Sequence, residues 1–222
     1  MSEIELLRSL SQEGNLYAIV SPSGAGKNAL EQMVNSGLDN NHKLVIPVSA
    51  TSRPREKRDQ VAKIGDMVSR KAYCHLTKSE FEQKIEQGEF LEYAMAHGNY
   101  YGTPILSILK PLQAGRKVLL EIEYQGIEII RRELDLDVIF ITPAPLDSLD
   151  DNLHILEQRI LRRWQESGDP IDNDKLATRL ETTKIELEWA KKNQGQDWFN
   201  IIINREGQLE QASRDFTSLI FD

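Results

Sequence analysis

The chain has 222 residues and a formal net charge of −8, with 40% hydrophobic and 28% charged residues. This composition is typical of a globular protein with a sizeable core, and it excludes the disordered and fibrous classes. The negative charge also argues against nucleic acid as a partner, because binding a phosphate backbone requires a surplus of Lys and Arg.

Three features of the sequence bear on where the protein works. Residues 1–15 are acidic and mixed, without the basic start and continuous apolar stretch of a secretory signal. No apolar run approaches the length of a membrane span. Cys74 is the only cysteine, so no internal disulfide can form, which fits a reducing compartment. We therefore expect a cytoplasmic protein without a membrane partner.

The first predicted strand, Leu16–Val20, leads into a glycine-rich loop that reads Ser-Pro-Ser-Gly-Ala-Gly-Lys-Asn at residues 21–28. In such a loop the backbone N–H groups point at an anion, the following helix adds its positive end, and the lysine reaches the outer phosphates. The residues predicted to bind nucleotide phosphates are Ser23, Gly24, Ala25, Gly26, Lys27 and Asn28. The alternative is a tight strand-to-helix connection that binds no ligand.

Apolar runs of strand length alternate with segments of helical period along the rest of the chain. The further predicted strands are Leu44–Val48, Lys117–Ile122, Val138–Ile141 and Phe199–Ile203. Helices are predicted from Gly26, near Gln125–Leu134, and at the C-terminus. This alternation predicts an α/β fold with a mainly parallel sheet that helices cover on both faces.

The segment 53–102 differs from these units and predicts an inserted lobe. Its helix begins at a capping box, Thr77-Lys78-Ser79-Glu80, which precedes apolar residues at helical spacing. From Thr51 to Lys71 there are seven basic and three acidic residues, a local charge of +4 in an acidic protein. We expect a small anion to bind this segment.

The stretch 146–193 predicts two long helices that are interrupted at Ser167-Gly168-Asp169-Pro170, with Asp172 as N-cap of the second helix. Arginines lie on both sides of the break, at positions 159, 162, 163 and 179. Taken alone, such a charged helix pair is as typical of a solvated surface as of a binding site.

A second anion site is predicted at residues 49–55, which read Ser-Ala-Thr-Ser-Arg-Pro-Arg at the end of a strand. The guanidinium groups of Arg53 and Arg55 have the planar donor geometry that suits a phosphate monoester. Two phosphate sites and additional arginines are what phosphoryl transfer requires, since that reaction depends on positioning and on positive charge.

Three motifs in order resemble the guanylate kinase family: Ser-Gly-Ala-Gly-Lys at 23–27, Ser-Ala-Thr-Ser-Arg-Pro-Arg at 49–55, and Gly-Asn-Tyr-Tyr-Gly at 98–102. The resemblance extends from Leu16 to the C-terminal helix. It implies a P-loop kinase-type parallel sheet with helices on both faces, an inserted GMP-binding lobe and a helical lid. The implied core comprises 1–52, 103–145 and 194–222, with the lobe at 53–102 and the lid at 146–193.

The resemblance also implies substrates and residue roles, namely ATP-dependent phosphorylation of GMP or dGMP by a monomer or homodimer. Arg53, Arg55, Tyr73 and Tyr101 would hold the acceptor phosphate, Glu92 would face guanine, and Ser49, Thr103, Glu121 and Glu123 would complete the GMP site. The implied catalytic residues are Lys27, Arg159, Arg163 and Arg179. Mg²⁺ would enter with ATP, held weakly or indirectly by Asn28 and Glu121.

The sequence departs from the family pattern mainly at phosphate and metal positions. Ser21 replaces a glycine of the loop, Asn28 and Ala29 replace hydroxyl residues, and Glu121 and Glu123 replace an Asp-x-Asp pair. One residue is missing between the two arginines, and residues 56–64 form an insertion. Asn204-Arg205 replaces an Asn-Asp pair. A kinase of another phosphate monoester, or a module that binds without turnover, therefore remain alternatives to a guanylate kinase.

Overall fold

The computed structural model describes residues 2–38, 43–57, 59–96, 98–168 and 171–221, and these contain eight strands and eight helices. The strands are β1 Leu16–Val20, β2 Ser49–Thr51, β3 Tyr73–His75, β4 Phe90–Ala96, β5 Asn99–Pro104, β6 Val118–Glu121, β7 Asp137–Thr142 and β8 Phe199–Ile203. The helices are α1 Glu3–Ser11, α2 Lys27–Gly37, α3 Lys78–Glu86, α4 Ile105–Gln113, α5 Tyr124–Ile130, α6 Leu149–Ser167, α7 Asn173–Asn193 and α8 Leu209–Phe221. No helix among the described residues combines the length and the apolar character that a membrane crossing needs.

The strands form two four-stranded sheets, in the orders β6-β1-β7-β8 and β3-β2-β5-β4. Strands β7 and β8 run parallel, with Val138 opposite Phe199 and Thr142 opposite Ile203. All five residues of β1 are buried, as expected for a strand of a parallel sheet that is covered on both faces. The α/β fold with a parallel sheet that the sequence predicts is therefore confirmed.

The chain divides into two compact units. The first comprises Met1–Ala18 and Leu38–Asp137, and the second comprises Ile19–Gly37 and Val138–Asp222. The segment 53–102 falls within the first unit and the segment 146–193 within the second.

In the first unit, β2 lies between β3, which is parallel to it, and β5, which is antiparallel. Helix α3 begins at the predicted capping box, where the Thr77 hydroxyl accepts from the Glu80 N–H and the Glu80 carboxylate accepts from the Thr77 N–H. Phe81 of this helix is fully buried, and its ring stacks on Phe90 at 4.4 Å and on Tyr100 at 5.1 Å. This aromatic stack fixes α3 against strands β4 and β5.

Two sequence predictions in the first unit have the wrong extent. In the predicted strand Leu44–Val48, only Val45 and Ile46 form bridges, with Val118 and Val68 respectively. Because adjacent residues pair with different neighbours, no continuous ladder forms, and the regular strand β2 starts only at residue 49. The helix predicted near Gln125–Leu134 is α5, which ends at Ile130.

In the second unit, α6 ends at Ser167 and is followed by Gly168, whose φ of +73° is the left-handed conformation of a helix C-cap. Asp172 caps α7 as predicted, because its carboxylate accepts from the Lys175 N–H at 3.0 Å. The other residues of the predicted break, Asp169 and Pro170, lie outside the described part of the chain. Helix α7 packs on the sheet through Trp189, whose ring meets Phe199 edge-on at 5.3 Å.

Candidate functional site

The phosphate loop of the second unit joins the end of β1 at Val20 to the start of α2 at Lys27. Gly24 and Gly26 have φ angles of +93° and +91°, in the region that favours glycine. A Cβ at Gly26 would collide with the side-chain amide of Asn204. The loop backbone thus depends on glycine at position 26 both for its conformation and for space.

Asn204, which directly follows β8, holds this loop. Its buried Nδ2 donates to the Ala25 carbonyl oxygen at 2.8 Å, and its main-chain N–H donates to the Thr142 carbonyl oxygen at 2.8 Å. Asn204 was not among the predicted site residues. The sequence signal was a polar residue at the carboxyl end of a predicted core strand, where parallel sheets place their binding residues.

Lys27 is the first residue of α2 and lies one helical turn before Glu31. Its Nζ is 3.7 Å from Glu31 Oε1, and both side chains are largely buried, with 22% and 11% of their surface exposed. The lysine that would meet the phosphates therefore lies beside an internal carboxylate. Asn28, the next residue, is exposed on the first turn of the same helix.

Arg159 of α6 contacts the phosphate loop directly. Its Nη2 donates to the Asn204 carbonyl oxygen at 2.9 Å and its Nη1 to the Gly24 carbonyl oxygen at 3.4 Å. Glu206 lies 3.3 Å from its Nε and accepts from Arg162 at 2.9 Å. Burial lowers the pKa of Arg159, and the negative charge of Glu206 partly offsets this decrease. The hydrogen bond from Arg162 lowers the pKa of Glu206.

The other two predicted catalytic arginines are exposed and lie close to the same loop. Arg179 of α7 places its Nη1 3.5 Å from the Ser23 hydroxyl and its guanidinium 5.7 Å from the Trp164 ring centre. Arg163 lines a cavity of about 280 Å³. The lining of this cavity also includes Gly24, Gly26, Ala29, Arg159 and Asn204. The second unit thus brings loop glycines and arginines of α6 around one cavity.

The predicted guanine-binding residues meet in the first unit on neighbouring strands. Glu92 of β4 lies opposite Thr103 of β5. The Thr103 hydroxyl donates to Glu92 Oε1 at 2.6 Å. Burial raises the pKa of Glu92, whereas the hydrogen bonds from Thr103 lower it. Ser49, at the start of β2, belongs to the same sheet.

Arg53 follows β2, and its guanidinium is held by several groups. Nη2 donates to Asp59 Oδ1 at 2.9 Å, Nη1 lies 2.9 Å from Glu56 Oε1, and the guanidinium carbon is 5.5 Å from the centre of the Tyr73 ring. Asp59 was not predicted as a site residue, because no motif marks it within the insertion. Arg55, by contrast, is exposed.

Two of the remaining predicted acceptor residues, Tyr73 and Glu121, lie beside a lysine that was not a predicted site residue. Lys71 lies 5.9 Å from the Tyr73 ring centre and 3.6 Å from Glu121 Oε2, whose side chain is 8% exposed. Glu123 precedes α5 and raises the pKa of Glu92 electrostatically. Tyr101 pairs with Thr51 across β2 and β5.

The chemistry of the two predicted Mg²⁺ ligands suits that ion. The Asn28 amide and the Glu121 carboxylate both offer oxygen donors, which Mg²⁺ prefers. Asn28 is exposed, whereas the Glu121 side chain is only 8% exposed and lies 3.6 Å from Lys71 Nζ. These two donors fit a Mg²⁺ ion whose ligands are mainly phosphate oxygens and water, with few ligands from the protein.

Comparison with known proteins gives a consistent result. The family model described as guanylate kinase matches residues 13–221. A guanylate kinase from Fusobacterium nucleatum subsp. nucleatum is 35% identical over 208 residues, which cover 93% of this chain and 96% of that protein. A guanylate kinase from Thermotoga maritima is 33% identical over 208 residues, which cover 94% of this chain and 86% of that protein. The crystal structure of guanylate kinase from Anaplasma phagocytophilum shares the fold, with a TM-score of 0.53 and 20% identity over 94% of this chain and 87% of that one.

Proposed function

Since the chain belongs to the guanylate kinase family, we propose that it transfers the γ-phosphoryl group of ATP to GMP or dGMP. A phosphate oxygen of the acceptor attacks the γ-phosphorus, the bond to the bridging oxygen breaks, and ADP leaves. We place this activity in the cytoplasm, where both nucleotides are available.

The observation that carries the choice of acceptor is the partly buried Glu92 carboxylate, which Thr103 orients through a 2.6 Å hydrogen bond. Guanine presents adjacent N1–H and N2–H donors, so one carboxylate accepts both. Adenine has no such pair of donors on that edge. A site built around a buried polar group rejects the ligand that leaves this group unpaired.

The roles of the other residues follow from their chemistry. The loop 23–28 binds ATP phosphates through its N–H groups, while Lys27, Arg159, Arg163 and Arg179 stabilise the charge that develops during transfer. Arg53, Arg55, Tyr73 and Tyr101 bind the acceptor phosphate, and Ser49, Glu121 and Glu123 complete that site. Mg²⁺ bound with ATP would neutralise charge at the phosphates, and Asn28 and Glu121 would hold it only weakly or indirectly.

The alternatives that the sequence raised are not favoured. Curated relatives that match nearly the whole chain are guanylate kinases, which argues against a different phosphate monoester and against a module without turnover. The substrates are small molecules, and the proposal requires neither nucleic acid nor a membrane. A monomer or a homodimer is compatible with it.

An ADP-release assay with GMP, dGMP, AMP, UMP and a sugar phosphate tests the proposal. We expect turnover with GMP and dGMP, and a decrease in kcat/KM for GMP of about 100-fold in Glu92→Gln. Lys27→Ala should abolish turnover, whereas Lys175→Ala, at an exposed lysine in the first turn of α7, is the matched control. Turnover with AMP or the sugar phosphate at the rate for GMP would contradict the choice of acceptor, and binding of GMP without turnover would contradict the activity.

A further inference from the structure

The insertion at residues 56–64 is built into the acceptor sheet of the first unit. Tyr73 donates its N–H to the Gln60 carbonyl oxygen at 2.8 Å, and Ala62 donates its N–H to the Tyr73 carbonyl oxygen at 3.2 Å. Val61 therefore forms a parallel bridge with Tyr73 of β3. Tyr73 is itself a proposed ligand of the acceptor phosphate. The insertion is therefore bonded directly to a strand of the proposed acceptor phosphate site.

Asp59 of the insertion is a fixed partner of Arg53. Its Oδ1 accepts from Arg53 Nη2 at 2.9 Å, and its Oδ2 accepts from the Glu56 N–H at 2.7 Å and lies 3.4 Å from His75 Nε2. Only 5% of the Asp59 side chain is exposed. The hydrogen bond from Arg53 lowers the pKa of Asp59, so this carboxylate is ionised at neutral pH.

Glu56 is a second carboxylate on the same guanidinium, in a different environment. Its Oε1 lies 2.9 Å from Arg53 Nη1, which also donates to the Pro54 carbonyl oxygen at 3.1 Å. The Glu56 side chain is 42% exposed, against 5% for Asp59. An exposed ion pair contributes little free energy, so this contact is the easier of the two to replace with another anion.

We propose that the insertion sets the affinity of the acceptor phosphate site: Asp59 is a positioning residue that orients the Arg53 guanidinium, and Glu56 is an internal competitor that the acceptor phosphate displaces from Nη1. This inference rests on the proposed function, because it assumes that Arg53 binds the acceptor phosphate. It assigns opposite effects on affinity to two carboxylates that contact the same arginine.

The opposite signs follow from the physics of the two contacts. Asp59 holds the Arg53 guanidinium in one orientation before the phosphate binds. Phosphate binding therefore does not lose free energy by restricting the motion of this side chain. Removal of Asp59 therefore weakens binding. Glu56 occupies a donor that the phosphate needs, and its exposed contact is readily exchanged for the phosphate. Removal of Glu56 therefore strengthens binding.

Steady-state kinetics of Asp59→Asn, Glu56→Gln and the matched control Asp66→Asn test the proposal. Asp66 is an exposed aspartate just beyond the insertion that accepts from the Lys63 N–H. We expect Asp59→Asn to raise the KM for GMP about tenfold while the KM for ATP and kcat change less than about twofold. Glu56→Gln should lower the KM for GMP by about two- to threefold, and Asp66→Asn should leave it unchanged.

A second measurement reports on Arg53 without any turnover. In nitrogen-15 NMR spectra, a held guanidinium gives resolved Nη–H signals, which Arg53→Lys identifies by their loss. These signals should persist in Glu56→Gln and Asp66→Asn and collapse in Asp59→Asn. Titration with GMP, and separately with inorganic phosphate, should shift them. If Asp59→Asn does not fold, Asp59→Glu replaces it in this comparison of the Arg53 signals, because it keeps the charge but changes the position of the carboxylate.

The outcomes separate this inference from the proposed function. If wild-type protein neither binds nor phosphorylates GMP, the proposed function fails, while the Arg53 signals and the phosphate titration still decide the role of Asp59. If GMP is a substrate but Asp59→Asn and Asp66→Asn have the same KM, the positioning role is wrong. A rise in the KM for GMP in Glu56→Gln would overturn the competitor role.

Discussion

The side chain of Asn204 fastens the phosphate loop from a position 179 residues further along the chain, through a buried 2.8 Å hydrogen bond to the Ala25 carbonyl oxygen. Arg159 donates to the Asn204 carbonyl oxygen at 2.9 Å. Asn204 thus links the loop that would bind ATP phosphates with an arginine of α6. A residue after the last strand, outside the glycine motif, fixes the conformation of the loop.

We expect Asn204→Ala to weaken ATP binding, because it leaves the Ala25 carbonyl oxygen buried without its donor. The loss of one buried hydrogen bond should lower the free energy of unfolding by about 1–2 kcal/mol. The KM for ATP should rise about tenfold, whereas the KM for GMP should change little. Urea unfolding and steady-state kinetics measure both quantities. Asn200→Ala, at a less buried asparagine of β8, is the control, and equal changes in both variants would refute the role of Asn204.

Gly26 and Gly195 provide a matched pair for separating backbone strain from steric collision. Their φ angles are +91° and +90°, but a Cβ at Gly26 would collide with Asn204 whereas nothing lies within 4 Å of a Cβ at Gly195. Both alanine variants pay the strain of a left-handed backbone, roughly 1–2 kcal/mol. Only Gly26→Ala must also displace Asn204.

We therefore expect Gly26→Ala to lose ATP binding, as measured by calorimetry, and to be less stable to urea than Gly195→Ala. Gly195→Ala should bind ATP like the wild type. Similar ATP affinities in the two variants would mean that the loop tolerates displacement of Asn204.

The sequence predicted the parts of the fold that depend on local patterns. The Thr77–Glu80 capping box and the Asp172 N-cap are interactions between residues three apart, so the sequence alone was sufficient to find them. The apolar run Leu16–Val20 is also a local pattern, and it forms a strand whose five residues are all buried. The strand predicted at Leu44–Val48 does not form a continuous ladder, because its bridges depend on Val68 and Val118, which are distant in sequence.

The residues that sequence analysis missed act over long separations. Asn204 acts on the phosphate loop across 179 residues, and no spacing rule relates the two. Glu206 pairs with Arg162 across 44 residues. Asp59 lies only six residues from Arg53, but it belongs to an insertion for which the family motif has no position. Such partners are found from coordinates, because folding brings them together without a repeated pattern.

Asn28 is the point at which the loop departs from a hydroxyl ligand for Mg²⁺. It is exposed on the first turn of α2 and offers an amide oxygen instead. We expect Asn28→Ser to raise turnover at limiting Mg²⁺ and to lower the Mg²⁺ concentration that gives half-maximal rate about threefold, since Mg²⁺ favours a compact oxygen ligand in strict octahedral geometry. Gln32→Ser adds a hydroxyl at an exposed position one turn further along α2 and is the control. An unchanged Mg²⁺ dependence in Asn28→Ser would remove any role of position 28 as a ligand.

Glu92 makes the stability of the folded protein depend on pH. Burial raises its pKa in the folded state above the ordinary glutamate value that applies in the unfolded chain. Between these two values the unfolded chain has released its proton while the folded protein retains it, so a rise in pH favours unfolding. The contribution of Glu92 to stability is fully present below the ordinary value and is lost as the pH rises through the raised one.

Glu92→Gln removes this titration, so we expect the stability of the variant relative to wild type to increase as the pH rises from acid to neutral. Between the ordinary and the raised pKa of Glu92, this stability difference cannot change by more than about 1.4 kcal/mol per pH unit, the limit for one proton. Thr103→Val should raise the folded-state pKa of Glu92 further in the otherwise wild-type protein, because it removes the hydroxyl hydrogen bond that counteracts the effect of burial. Urea unfolding of the three proteins at a series of pH values measures these differences. A stability difference between wild type and Glu92→Gln that is the same at every pH, or that decreases as the pH rises, would show that folding does not raise the pKa of Glu92. The desolvated carboxylate on which guanine selection depends would then be absent in solution.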